Sequence, residues 1–126
     1  MVQEQLGSAS GMQLSVKQED IKITGHAFEC RINAKGPINF LPSPGKVNHF
    51  HAPGGPGVRV DSHLYSGYTV PPYYDSLIAK LITYGASREQ ALMLMQNAFD
   101  AMLIDGSNSN IPLPKDLVTD PSLRHI

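Results

Sequence analysis

Only one cysteine, Cys30, stands in the whole chain, so an internal disulfide is excluded. Set in an otherwise apolar strand pattern, it reads as a small buried hydrophobe. A reducing compartment fits that usage. Excess basic charge is also missing: ten Lys and Arg residues face eleven Asp and Glu. That balance leaves no cationic footprint for a phosphate backbone or an anionic membrane, which argues against nucleic acid and membrane partners. Apolar runs are only a few residues long, against the roughly 18 needed to cross a bilayer. Residues 1–10 have neither the basic start nor the apolar run of a signal peptide, and the expected location is the cytoplasm.

What remains is an ordinary globular composition. Hydrophobic residues make up 41% and charged residues 17%, a balance that favours a packed core over disorder. A length of 126 residues suits one domain, 1–126, able to bury roughly two-thirds of its extended-chain surface.

Along the chain, Val2, Leu6 and Ala9 fall at helical spacing and Gly11 stands where a helix would stop. So short a helix forms only marginally alone, and residues 1–20 read as the remnant of a connection from a preceding part. Over residues 21–34 the period becomes two: His26, Phe28, Cys30, Ile32 and Ala34 share one face, Ala27, Glu29, Arg31 and Asn33 the other. Thirteen of the 21 Gly and Pro residues then lie between Gly36 and Pro72, breaking strand-like runs at 46–52 and 58–65. Residues 74–84 are apolar on both alternating faces, with Leu77, Ala79 and Leu81 on one and Ile78 and Ile82 on the other. This predicts a central strand covered on both sides. Residues 87–102 predict a helix, opened by a capping-box pair, Ser87 and Gln90, and striped by Ala91, Leu94, Met95, Ala98 and Met102. Residues 107–126 are polar, carry Pro112, Pro114 and Pro121, and leave room for one short helix after Pro114. The expected class is α+β: mainly antiparallel sheet with turn-rich connections and one long amphipathic helix packed on it.

Several constellations suggest chemistry, and most have a plainer reading. His49 and His51 project the same way from one strand-like run, but no further Cys or His cluster completes a tetrahedral set, and no metal site is assigned. Asp61, Ser62 and His63 are the side chains of a hydrolase triad, yet consecutive strand residues face opposite ways and cannot form the relay. Pro53-Gly54-Gly55-Pro56-Gly57 lacks a following GK[ST] and a helix to receive a phosphate, and reads as a rigid turn. Glu29 and Arg31, together on a polar face, read as an exposed ion pair, and the methionines at 93, 95 and 102 as core filling. Arg59 is harder to dismiss. It follows the Gly-Pro turn on the polar face with Asp61 and His63, where a guanidinium beside close-approach backbone suits an oxyanion.

Four segments carry a family resemblance: residues 25–34 (GHAFECRINA), 40–46 (FLPSPGK), 51–59 (HAPGGPGVR) and 67–76 (GYTVPPYYDS). In order, they resemble the carboxy-terminal domain of biotin carboxylase, and come nearest to the biotin carboxylase subunit of bacterial acetyl-CoA carboxylase. The resemblance runs from Val2 to about Asn110. It implies a reaction in which ATP and bicarbonate give carboxyphosphate, and the carbon dioxide released carboxylates a ureido nitrogen of biotin held on a carrier protein. It also implies that the ATP-grasp part, with its nucleotide loop and metal-binding glutamates, precedes the stretch matched here. ATP, Mg or Mn and biotin then belong to the complete enzyme, and none is expected to be bound by these residues alone. The implied partners are the biotin carboxyl carrier protein, the ATP-grasp part and, as a homodimer, a second copy.

The resemblance gives Arg59 a role as the catalytic residue on the biotin and bicarbonate side, a fixed cation for the charge that develops on the ureido oxygen. Three departures stand out. Lys35-Gly36-Pro37 replaces Glu-Asp-Pro, Val60 replaces a Trp after the motif arginine, and residues 107–110 replace a more hydrophobic and basic segment. Local packing near Arg59 is therefore expected to differ, and residues 107–126 read as a diverged or truncated tail. A reading from another class is a stand-alone dimerisation or interaction module that keeps the fold without catalysis.

Overall fold

The computed structural model describes residues 1–124. Helix α1 (Val2–Ala9) comes first, then a 3₁₀ turn (Gln18–Asp20) and strand β1 (His26–Asn33). The Gly-Pro-rich stretch supplies β2 (Gly45–Lys46), β3 (His49–His51), β4 (Val58–Ser62) and β5 (Thr69–Val70). Strand β6 (Leu77–Gly85), helix α2 (Arg88–Ala101), β7 (Leu103–Asp105), α3 (Pro112–Thr119) and α4 (Pro121–Arg124) follow.

The main sheet has the order β1-β6-β4 and is antiparallel throughout. Its core face is read off the register: Phe28-Thr83-Val58, Cys30-Leu81-Val60 and Ile32-Ala79-Ser62 stand in rows across the three strands. Helix α2 closes this face with Ala91, Leu92, Met95, Ala98 and Phe99, all buried. Ile32, Leu81 and Met95 are fully enclosed there. Thr83 is buried too, and its hydroxyl is satisfied by donating to the Ala91 carbonyl at 2.8 Å, which fastens strand to helix at no cost in unpaired polar groups. The helix opens on Ser87, whose oxygen accepts from the Gln90 amide at 3.2 Å. The Gln90 side chain reaches back one residue farther than a capping box requires, accepting from Ala86 N at 2.8 Å.

Two smaller ladders flank the main sheet, β2 with β5 and β3 with β7. The run expected at 46–52 is thereby divided. Val47 N donates to Tyr68 O and Asn48 N to Asp105 O, both at 2.8 Å, so the chain changes partner between these two residues. Strand β1 begins at His26 rather than near residue 21, because its partner β6 ends opposite it at Gly85. Strand β6 is central, as its pattern implies, but its second face is covered only in part: Ile78 is 1% exposed while Tyr84, on the same face, is 51% exposed.

The tail departs from its expected shape. Two helices occur after Asn110, and the first begins at Pro112, where proline suits a first helical turn. His125 and Ile126 lie outside the described residues. The stretch read as diverged is tied to the body: Ser107 Oγ donates to Ser43 O at 2.8 Å. Asn110 accepts from Asn33 N through its side chain at 2.7 Å and donates its own amide to Asn33 O at 3.1 Å. Asn110 thus finishes the outer edge of β1. Asn110→Ala removes a partner from a part-buried amide and is expected to cost about 1–2 kcal/mol, measured as a lower urea midpoint; an unchanged midpoint would show that the edge needs no such clamp.

Candidate functional site

The face of the sheet opposite α2 is left open, and its rows are polar. Glu29-Ile82-Arg59 form one row and Arg31-Lys80-Asp61 the next. Alternation along each strand dictates this: with Phe28, Cys30, Val58, Val60, Leu81 and Thr83 on the core face, the residues between them, Glu29, Arg31, Arg59, Asp61, Lys80 and Ile82, face the other way. Glu29 and Arg31 do share that face but do not pair with each other. Lys80 reaches diagonally to Glu29 at 3.1 Å, and Arg31 lies 3.4 Å from Asp75.

Arg59 is presented by a tight corner. Val58 N donates to Gly55 O at 3.1 Å, with Pro56 and Gly57 between them and Gly57 at φ 74°. Proline second and a positive-φ glycine third are the signature of a type II turn. The carbonyl of Gly57 then accepts from Tyr84 N at 2.8 Å and starts the pairing of β4 with β6. Arg59 follows two residues later, in register with Ile82.

The guanidinium lies along its own strand. Its Nε donates to Asp61 Oδ1 at 2.8 Å and its Nη2 to Asp61 Oδ2 at 2.9 Å. These hydrogen bonds hold the Asp61 carboxyl below its ordinary value, with the charges of Arg59 and Lys80 adding to the effect. The same bond and charge push the arginine higher still. Lowering of the carboxyl means the fork is complete above the ordinary aspartate pKa and opens only as pH falls through the depressed one. At neutral pH it is closed. The Arg59 side chain is 71% exposed, so the described residues build a platform beneath it rather than a cavity around it. Beside it runs a shallow groove of about 230 Å³ lined by Asp61, Ser62, His63 and residues 77–80.

His63, expected beside Arg59 and Asp61, is not there. β4 stops at Ser62, whose hydroxyl donates to Ile78 O at 2.7 Å and accepts from Leu64 N at 3.0 Å. The chain turns, and His63 meets the Tyr68 ring edge-on at 5.2 Å. His49 and His51 are exposed on β3, and no group of three or more His, Cys, Asp or Glu suited to a metal occurs among the described residues. No described helix is long and apolar enough to cross a membrane. The sequence reading left Asp61 without a role, although strand period two already placed it on the arginine's side. Val60, the departure expected to alter packing near Arg59, sits on the opposite face against Leu81, so the change lies beneath β4 rather than beside the guanidinium.

Comparison with known proteins settles the family. The model of the biotin carboxylase C-terminal domain matches residues 29–126. The chain belongs to that family. The biotin carboxylase of Pseudomonas aeruginosa is 64% identical over 120 residues, 95% of this chain and 27% of that protein. A biotin carboxylase from Campylobacter jejuni, solved as a β-γ-ATP complex, superposes with a TM-score of 0.92 at 38% identity, covering 98% of this chain and 27% of the other. The biotin carboxylase domain of the Hydrogenobacter thermophilus 2-oxoglutarate carboxylase, solved as a dimer with MgADP, ADP and bicarbonate, gives a TM-score of 0.90 at 41% identity over 95% of this chain and 27% of that one. This biotin carboxylase C-terminal domain therefore spans about a quarter of the length of the relatives it matches.

Proposed function

We propose that the chain is the carboxy-terminal part of the biotin carboxylase component of acetyl-CoA carboxylase. The complete enzyme uses ATP, with Mg or Mn, and bicarbonate to carboxylate biotin on a carrier protein in the cytoplasm, the first step toward malonyl-CoA. What these residues add is one wall of the site, and Arg59 is its reacting-side group. The carrying observation is the rigid presentation of that guanidinium on an open sheet face, at the Gly-Val-Arg motif of a family member. Two of its five N–H groups are engaged by Asp61. Three remain, two on Nη1 and one on Nη2, a second fork whose planar geometry suits an oxyanion such as the enolate-like oxygen of a deprotonated ureido group. That free fork supports the assignment of the biotin ureido oxygen to this side of the site.

Relatives solved with nucleotide and with bicarbonate support the substrate class, and the Hydrogenobacter dimer supports pairing of the complete enzyme. The nucleotide and its metal are assigned to the ATP-grasp part, outside the matched quarter. A chimera tests the reading: the 120 aligned residues replace the corresponding quarter of the Pseudomonas enzyme. Biotin-dependent ATP turnover within about tenfold of the parent is the expected result, since the stretch is 64% identical and volume-conserving changes are well tolerated. A chimera that folds and dimerises but turns over no ATP would favour the non-catalytic interaction module.

A further inference from the structure

The charges on the open face form a connected ladder rather than scattered pairs. Arg59 is forked by Asp61, Asp61 stands opposite Lys80 across the β4–β6 pairing, and Lys80 binds Glu29 at 3.1 Å. An arginine this exposed would ordinarily sample many rotamers, and freezing it at the moment of reaction would cost entropy. Here the freezing is done beforehand. A carboxylate two residues along the same strand engages the side-on edge of the guanidinium, Nε and Nη2, and fixes its plane relative to the sheet. The opposite, end-on edge stays free. Lys80 keeps Asp61 from being an isolated anion without competing for the two oxygens that hold Arg59, since its own ammonium is directed to Glu29.

We infer that Asp61 is a positioning residue for the carboxylation, holding the Arg59 guanidinium so that its end-on fork meets the oxyanion already oriented. The inference rests on the role proposed above for Arg59. Asp61 touches no substrate in this scheme; it acts through the arginine alone. Replacing it with asparagine keeps size and one hydrogen-bond acceptor but removes the second acceptor and the charge. Replacing it with glutamate keeps both oxygens and the charge one methylene farther out.

In a complete enzyme carrying these residues, Asp61→Asn is expected to lower kcat for biotin carboxylation about tenfold, the scale of a misdirected catalytic group, with KM for bicarbonate unchanged. Asp61→Glu should recover most of that loss. The double variant Arg59→Ala with Asp61→Asn should be no slower than Arg59→Ala alone, because a residue acting through another has nothing left to act on. Glu19→Gln, which removes an exposed charge paired with Lys17 and outside the ladder, should keep kcat within twofold. Wild-type kcat in Asp61→Asn, or a loss that multiplies with that of Arg59→Ala, would overturn the inference while leaving the arginine's role standing. Unchanged turnover in Arg59→Ala would instead remove the role itself, and this inference with it.

Discussion

Arg59→Ala in the complete enzyme is expected to reduce biotin-dependent turnover by about 10²–10³, the cost of deleting one preorganised donor to a developing oxyanion. Stability should not follow. The side chain is largely exposed and its bonds go to Asp61, a neighbour on the same strand, so the unfolding midpoint should stay put while the rate collapses. That separation distinguishes a reacting-side group from a structural one. Arg59→Lys restores the charge without the planar fork and is expected to fall between the two. Equal turnover in the alanine variant and the parent would show that the ureido charge is stabilised from elsewhere.

A second large effect is expected at the corner rather than at the guanidinium. A Cβ on Gly57 would lie 2.5 Å from the Tyr84 carbonyl oxygen and 3.0 Å from Leu94 Cδ1, and the residue already has positive φ. Gly57→Ala therefore combines a backbone conformation that side chains avoid with a collision against the central strand. A cost of about 3 kcal/mol is expected, read as a lower denaturant midpoint, accompanied by lost activity because Arg59 follows two residues later. Gly54 supplies the contrast. Nothing lies within 4 Å of a Cβ built there, so Gly54→Ala should change neither midpoint nor turnover. Equal behaviour of the two variants would mean that the corner does not position the strand.

Legibility in the sequence followed the range of the interactions. The alternation of Phe28, Cys30 and Ile32 against Glu29 and Arg31 is local, and it marked both the strand and its two faces. Central placement of residues 77–85 was likewise readable, because a run so apolar has to be surrounded by partners. Its second face is covered at one end alone: Ile78 is buried as its apolar side chain implied, whereas Ile82 is half-buried and Tyr84 exposed. Strand β7 escaped notice because three residues after a helix carry no period, and its partner β3 lies more than fifty residues earlier. Only the fold brings them together. The tail misled for a related reason, since what anchors Asn110 is the backbone of Asn33, and a polar residue bonding to distant main chain looks like any loop asparagine. As for the site, Arg59 stood out through the corner before it and the motif around it. Asp61 did not, because aspartate two residues from arginine on an exposed strand is usually an ordinary surface pair.

The pairing of Gly57 O with Tyr84 N also decides how the corner can change in length. Side chains on β4 alternate between core and open face, so the phase of that alternation is set where the ladder with β6 begins. One residue inserted between positions 57 and 59 would turn the arginine inward against Leu81 and put a valine outside. The same insertion at Gly54 leaves the ladder's starting point untouched. Drift in loop length across related chains should accordingly gather upstream of Gly57 and stop there, so that the corner acts as a reading frame for the strand it launches.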